Sequence, residues 1–261
     1  MSPHIVRLAA CALVASATSV AAAPIAPTFQ TFGDLPGATF NGTDIPTDPT
    51  AFSSFTLANG QTLTLGIAIT PRFQNPAVGN DGNGTYFVGL GFNDGVPGSM
   101  SGTNGGVWNF STFIELSGAA NPGEEEIDLL DVSLDLELLY DFDPGADTDE
   151  ADLGRIDIAL ALQEQAALLG GPLPPDFFLL SQGSQNPAFQ FLAGIPPIGS
   201  ITPPPGNFDP FAPGEYTFAL VSSAGTVAVN AVAVVPVPAG LPLALAAFGM
   251  LGLVARRRNY A

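Results

Sequence analysis

Short apolar runs broken every few residues by glycine and proline dominate this chain, a punctuation that suits strands and turns and leaves little room for long helices. Several of these runs alternate apolar and polar residues with period two, the pattern of a strand with one buried face. The clearest is Asp131 to Leu138, where Val132, Leu134, Leu136 and Leu138 fall on one side and Asp131, Ser133, Asp135 and Glu137 on the other. Further strands are expected at Ser54–Leu57, Thr62–Ile69, Tyr86–Phe92, Val107–Leu116, Arg155–Leu160, Glu215–Ser222 and Thr226–Val234. Turn clusters such as Asn59-Gly60, Asn80-Asp81-Gly82-Asn83-Gly84 and Pro203-Pro204-Pro205-Gly206 separate them. One stretch departs from the pattern: Ala159–Leu169 has helix-forming composition, so a short helix or an irregular crossing is expected after the strand begun at Arg155, and Gly170-Gly171-Pro172 would end it. With 30 glycines and 25 prolines in 261 residues, about a fifth, the chain stays below the roughly 25–30% of low-complexity disorder. The expectation is an all-β domain, an antiparallel β-sandwich or jelly roll.

The two ends have a different character. Residues 1–23 have the order of a secretory signal: Arg7, an apolar stretch from Leu8 to Val20, then the small residues Ala21, Ala22 and Ala23. A lipoprotein signal is the competing reading, because Leu8-Ala9-Ala10-Cys11 has lipobox composition; Arg7 stands directly before it, whereas a lipobox follows its apolar run. Near the other end, Ala239 to Ala255 carries no charge and Arg256, Arg257 and Arg258 follow. At about 1.5 Å per residue such a segment reaches roughly 25 Å as a helix, enough for a thin bilayer, and the arginines would hold its end on the cytoplasmic side. The division expected is a signal peptide over residues 1–23, an acidic domain over 24–234 and a sorting tail with a membrane helix over 235–261.

The tail begins Val235-Pro236-Val237-Pro238-Ala239-Gly240-Leu241-Pro242. A Val-Pro-rich motif, a short apolar helix and an arginine cluster, in that order, resemble the PEP-CTERM sorting tails in their VPLPA-type variant. Val237 stands where that variant has Leu, and Pro-Val-Pro replaces Pro-Glu-Pro. The resemblance implies recognition by an exosortase-type membrane protease, transient residence in the inner membrane, and delivery to the surface of a Gram-negative bacterium that exports polysaccharide. The stretch from Leu138-Leu139-Tyr140-Asp141-Phe142-Asp143-Pro144-Gly145 to Gly154, with Ser184-Gln185-Asn186 and Gly214–Leu220, is similar to segments of exported proteins of that family. No activity comes with the likeness.

The residue inventory of 24–234 restricts chemistry sharply. The only histidine and cysteine, His4 and Cys11, lie in the leader; the chain has no lysine, and Arg72 and Arg155 are the only basic residues of the segment. A Ser-His-Asp triad, a Cys-His pair, a Schiff-base lysine, a thiolate or imidazole metal site and a disulfide are all outside its means. All 24 acids fall here, so the segment carries a formal charge of about −22, which repels nucleic acid and anionic membranes and attracts cations. Nucleic acid is therefore not expected as a partner.

Two readings of the acids stay open. Asp141, Asp143, Asp147, Asp149, Glu150 and Asp152 crowd around Pro144-Gly145, and closely spaced carboxylates can supply the six to eight oxygens of a Ca²⁺ site. Their spacing fits neither an EF-hand nor a glycine-rich repeat, and solvated loop acids are the plainer reading, as for Glu124-Glu125-Glu126. Paired carboxylates would also serve a glycosidase, but one tryptophan, Trp108, and the three tyrosines within 24–234, Tyr86, Tyr140 and Tyr216, are few for sugar subsites, so a non-enzymatic protein is expected. The glycosylation triplets at Asn41, Asn83 and Asn109 are assigned no role. The function expected is an exported cell-surface or matrix protein associated with exopolysaccharide, the alternative being a Ca²⁺-dependent carbohydrate-binding or adhesion module.

Overall fold

Alternating Leu63, Leu65, Ile67 and Ile69 make one flank of a strand wholly apolar, and strands of this kind are stable only when another apolar layer covers them. A computed structural model describing residues 23–73, 77–93 and 105–235 places that cover in a second sheet. In chain order the strands are β1 (Thr31–Gly33), β2 (Thr50–Thr56), β3 (Thr62–Pro71), β4 (Gly79–Asn80), β5 (Thr85–Val88), β6 (Phe92–Asn93), β7 (Gly105–Gly106), β8 (Trp108–Ser117), β9 (Glu137–Tyr140), β10 (Gly154–Asp157), β11 (Leu180–Gln185), β12 (Ile201–Thr202), β13 (Gly214–Ser222) and β14 (Gly225–Ala233); α1 (Ile158–Leu169) follows β10. One sheet has the order β1-β2-β3-β8-β11 and the other β12-β10-β9-β13-β14-β5-β4, while β6 and β7 pair apart. The protein is all-β, and every pairing is antiparallel except β14 with β5, which runs parallel from Asn230–Thr85 to Ala233–Val88.

A single apolar cluster joins the inner faces of both sheets. Leu63, Leu65, Ile67, Phe110 and Ile114 from one meet Leu138, Tyr140, Phe218, Leu220, Val227 and Val229 from the other. Phe110 stacks on Phe218 with ring centroids 4.8 Å apart, and Trp108 meets Phe218 edge-on at 5.9 Å. The tyrosines bury their rings and satisfy their hydroxyls locally: Tyr140 donates to the Leu192 carbonyl at 2.6 Å and Tyr86 to that of Pro49 at 2.9 Å.

Both sheets are also covered outside. Leu35, Phe40 and Ala68 pack with Phe113 behind the five-stranded sheet, and the Gln182 side-chain oxygen anchors this cover by accepting the Thr39 and Phe40 amides. Behind the seven-stranded sheet, Ile25 packs on Leu139, Leu153, Ala219 and Ala228. The N-terminal segment crosses between the sheets: Thr28 exchanges backbone hydrogen bonds with Ala228 on one, and β1 pairs with β2 on the other. Gly84 accommodates this crossing, since a Cβ there would lie 2.6 Å from the Phe29 ring and its φ of +88° suits glycine.

The strand expected over Asp131–Leu138 is corrected. Val132–Leu134 forms a 3₁₀ turn, because the Asp131 carboxylate accepts the Ser133 amide and Asp135 takes left-handed backbone at φ 48°. The strand starts at Glu137, so Leu134, Leu136 and Leu138 are buried as the alternation implies, while Val132 is 88% exposed. The strand expected over Arg155–Leu160 likewise stops at Asp157, whose carboxylate caps α1 by accepting the Leu160 amide at 2.9 Å. The helix itself ends at Gly170 in left-handed backbone, where the sequence places its stop. Tyr86–Phe92 divides into β5 and β6, with Gly91 at φ 133° between them. Signals for β1, β4, β7, β11 and β12 are too short or too polar to read as alternation.

The turn makes a prediction that a continuous strand would not. Leu134→Asp places a charge in the apolar core and should cost more than about 3 kcal/mol, whereas Val132→Asp should change stability by less than about 0.5 kcal/mol. Thermal melts of the two variants check this; comparable losses would restore the strand.

Candidate functional site

The acidic stretch leaves β9 at Asp141 and returns into β10 at Gly154, and the structure sorts its carboxylates into two groups. Asp141 continues the line of β9 opposite Thr217 and is 1% exposed. Its Oδ1 accepts the Asp143 amide at 2.8 Å, and Asp143 Oδ1 in turn accepts the Gly145 amide at 2.8 Å, so consecutive side chains fold the backbone around Pro144. This turn presses on β13: Glu215 donates its amide to the Pro144 carbonyl, and a Cβ on Gly214 would collide with that same carbonyl. Asp147 follows in left-handed backbone at φ 60°. The second group sits further on, where Asp149 precedes a 3₁₀ turn over Glu150–Asp152 and forms an isolated antiparallel bridge with Pro24.

Glu215 joins the first group from across the fold, an acid that local sequence patterns would not assign to the cluster. Its Oε1 accepts from Asn230 Nδ2 at 2.9 Å, and Asn230 Oδ1 accepts from the Thr217 hydroxyl at 3.3 Å, forming a polar chain across β13 and β14. Burial raises the Asp141 carboxyl above the usual range, against the opposing pull of the Asp143 amide, the Thr148 hydroxyl and the Thr217 amide. Asp141 Oδ2 is itself buried and accepts no hydrogen bond. Burial and the charge of Asp147 raise Glu215 too, and the Tyr216 hydroxyl is pushed up to about 12 by burial and by Asp209, Asp141 and Asp143.

Of the five aspartates expected as cation ligands, Asp141 and Asp143 share the Pro144 turn, and Asp147 leans electrostatically on Glu215. Asp149 and Asp152 belong to the turn beside Pro24, and Asp143, Asp147, Asp149 and Asp152 are all exposed. Among the described residues no three acids are gathered closely enough to form a metal-holding group. Arg155 takes Glu150 out of the cluster, pairing with it at 3.3 Å and with Glu137 at 2.6 Å.

Beside Asp141, Phe142 turns to the other side and lines a cleft of about 340 Å³ with Phe189, Phe208, Ile195, Gln190 and Asn207. A buried guanidinium backs it, for Arg72 lies 5.2 Å from the Phe189 ring centroid. Asn186, fully buried, ties this region together by accepting the Gly106 and Ala188 amides and donating to the Gly106 and Trp108 carbonyls. Of the expected sorting motif, Val235 is exposed at the end of the described chain; Pro236, Val237, Pro238, Ala239, Gly240 and Arg256, Arg257 and Arg258 lie outside the described residues, as do residues 1–22 of the expected leader. Among the described residues no helix is long and apolar enough to cross a membrane. Compared with known proteins, the chain matches no family model, no curated sequence and no solved structure.

The raised acids fix the sign of a pH effect. Asp141 and Glu215 bind a proton more tightly folded than unfolded, so their contribution is least favourable above the folded pKa and improves as pH falls toward the ordinary carboxylate range. The melting temperature should therefore rise as pH is lowered from 7 to 5, with a smaller rise in Asp141→Asn. An unchanged slope in that variant would mean Asp141 is not the group that senses pH.

Proposed function

We propose that this is an exported, non-enzymatic cell-surface or extracellular-matrix protein, a β-sandwich processed by an exosortase-type membrane protease and associated with exopolysaccharide. The observation that carries the reading is the order of the tail: Val235-Pro236-Val237-Pro238, the uncharged segment to Ala255, then Arg256, Arg257 and Arg258. The charge distribution supports it. Residues 24–234 set 24 acids against two arginines, a composition suited to an extracellular surface and opposed to anionic partners. The strand pairings support it as well, because all the named strands find their partners between Thr31 and Ala233, inside the segment that both terminal signals would leave. On this reading the chain resides in the inner membrane transiently through its C-terminal segment, and the folded domain acts outside.

A second reading, a Ca²⁺-dependent carbohydrate-binding or adhesion module, rests on the buried Asp141 Oδ2 without a hydrogen-bond partner, one residue from an aromatic cleft. A glycan array run with and without Ca²⁺ distinguishes the two, since only the module binds a sugar in a calcium-dependent way.

Intact-mass measurement of the exported protein should show a species lacking residues 1–23 and the segment from Leu241 onward; retention of Leu241–Ala261 outside the cell would refute the sorting reading. For the second reading, millimolar Ca²⁺ should raise the melting temperature beyond matched NaCl or Mg²⁺, and Asp141→Asn with Asp147→Asn should abolish the excess. Free ligand at 100 times its Kd contributes about 2.7 kcal/mol, a few degrees in a domain of this size. A calcium shift no larger than the salt control leaves the acids as solvated turn residues.

A further inference from the structure

The N-terminal segment does not trail from this fold. Ile25 is one member of the apolar cluster behind the seven-stranded sheet, Thr28 is hydrogen-bonded to Ala228 in both directions, and Pro27 and Phe29 pack over Gly84. These contacts fix where the segment starts: Pro24 lies in antiparallel register with Asp149, at the head of the turn that holds Glu150 and Asp152. If the leader is removed after Ala23, as the processing reading above has it, the first atom of the mature chain is the Pro24 nitrogen. That nitrogen is then a cation delivered to this turn.

We infer that the acidic turn at Asp149 is a receptor for the mature amino terminus, so that removal of the leader creates a charge pair that fastens the N-terminal strap to the seven-stranded sheet. The inference rests on cleavage of the leader. The charge balance of the site favours it. Arg155 already pairs with Glu150, whereas Asp149 and Asp152 have no salt bridge among the described residues. Ile25 of the strap packs on the apolar Leu139, Leu153, Ala219 and Ala228, and at the Pro24 end the charged groups of the turn are Asp149, Glu150 and Asp152, with Arg155 engaged by Glu150. A chain still carrying its leader has a neutral peptide bond at this point and lacks the pair.

An accident of composition makes the inference testable with one reagent. The chain has no lysine, so its α-amino group is the only aliphatic amine it possesses, and amine-selective acylation reports on that group alone. The protein for the test is residues 24–235 with Pro24 first, a segment that contains every partner of every named strand. Acylation needs the uncharged amine, and nearby carboxylates hold the charged form. At pH 7 and low salt the acylation rate should rise roughly two- to three-fold in Asp149→Asn, the range of an exposed ion pair. It should stay unchanged in Asp176→Asn, which removes an equal charge from the chain just before β11. Asp149 makes no side-chain capping hydrogen bond, so its replacement removes no cap, and an unchanged circular dichroism spectrum is the expected control.

The same pair has a stability signature. A cation gaining a partner stabilises fully below its unfolded pKa and loses that contribution as pH rises through the folded value. Acylation should therefore lower the melting temperature of the wild type at pH 7 and not that of Asp149→Asn, and the difference should shrink in high salt. Equal acylation rates in wild type, Asp149→Asn and Asp176→Asn, or equal melting losses on acylation, would overturn the inference. N-terminal sequencing of the exported protein tests the processing reading separately: a start outside Ala22–Pro24 disposes of that reading and leaves the acylation result on residues 24–235 to stand by itself.

Discussion

The contact between the two sheets, centred on Phe110 against Phe218 with Trp108 beside them, is the interaction on which the rest of the molecule depends. Short strands bury little individually, and neither sheet is stable with its inner face in water. Their union supplies the core, and three consequences follow from it. The inner faces admit no charge. The outer faces, also apolar in part, require the covers that Leu35–Phe40 and Ile25 provide. Most of the acids are left to turns, where water or backbone amides can solvate them, and Glu115, Glu137 and Glu215 within strands keep part of their surface in water.

That last consequence explains why the acidic turn has its present form. With two arginines in the whole domain, carboxylates cannot be neutralised by salt bridges in number, so they accept backbone amides instead. Asp141 takes the Asp143 amide, Asp143 takes that of Gly145, Asp131 takes that of Ser133 and Asp157 caps α1. A charged acceptor makes a stronger hydrogen bond than a neutral one, so these residues order loops that have little apolar surface to bury. Asp141 stands apart because it is buried while one of its oxygens accepts no hydrogen bond, and it is the acid whose environment most clearly departs from that of a solvated turn.

The proposed delivery route and the fold are compatible for a physical reason. An export segment at one end and an anchoring segment at the other can be removed without loss only if the domain between them completes its own sheets. β1 pairs with β2 and β14 with β13 and β5, so the outermost named strands are paired inside the domain. The N-terminal strap adds a feature that pairing alone does not require, for it places Pro24, the proposed first residue after leader removal, beside Asp149.

Much of this was legible in the residues themselves. Period-two alternation, together with glycine and proline turns, determined the all-β class and the long strands β3, β8, β13 and β14, because burial of one face leaves its mark every second residue. The helix-forming run and its Gly-Gly-Pro stop pointed to a short helix or an irregular crossing, of which the fold has the helix, and the absence of lysine, with no histidine or cysteine after Cys11, excluded whole classes of chemistry. Tertiary structure alone decided the rest. Asp131–Leu138 alternates well, yet its first half is a turn, since a carboxylate accepting a nearby amide competes with strand pairing and periodicity cannot register that competition. The parallel pairing of β5 with β14, the approach of Glu215 to a cluster some seventy residues away, and the placing of Pro24 against Asp149 are choices of long-range register. Such choices are settled by which apolar faces fit together, a property of the assembled sheets that no local stretch of chain contains.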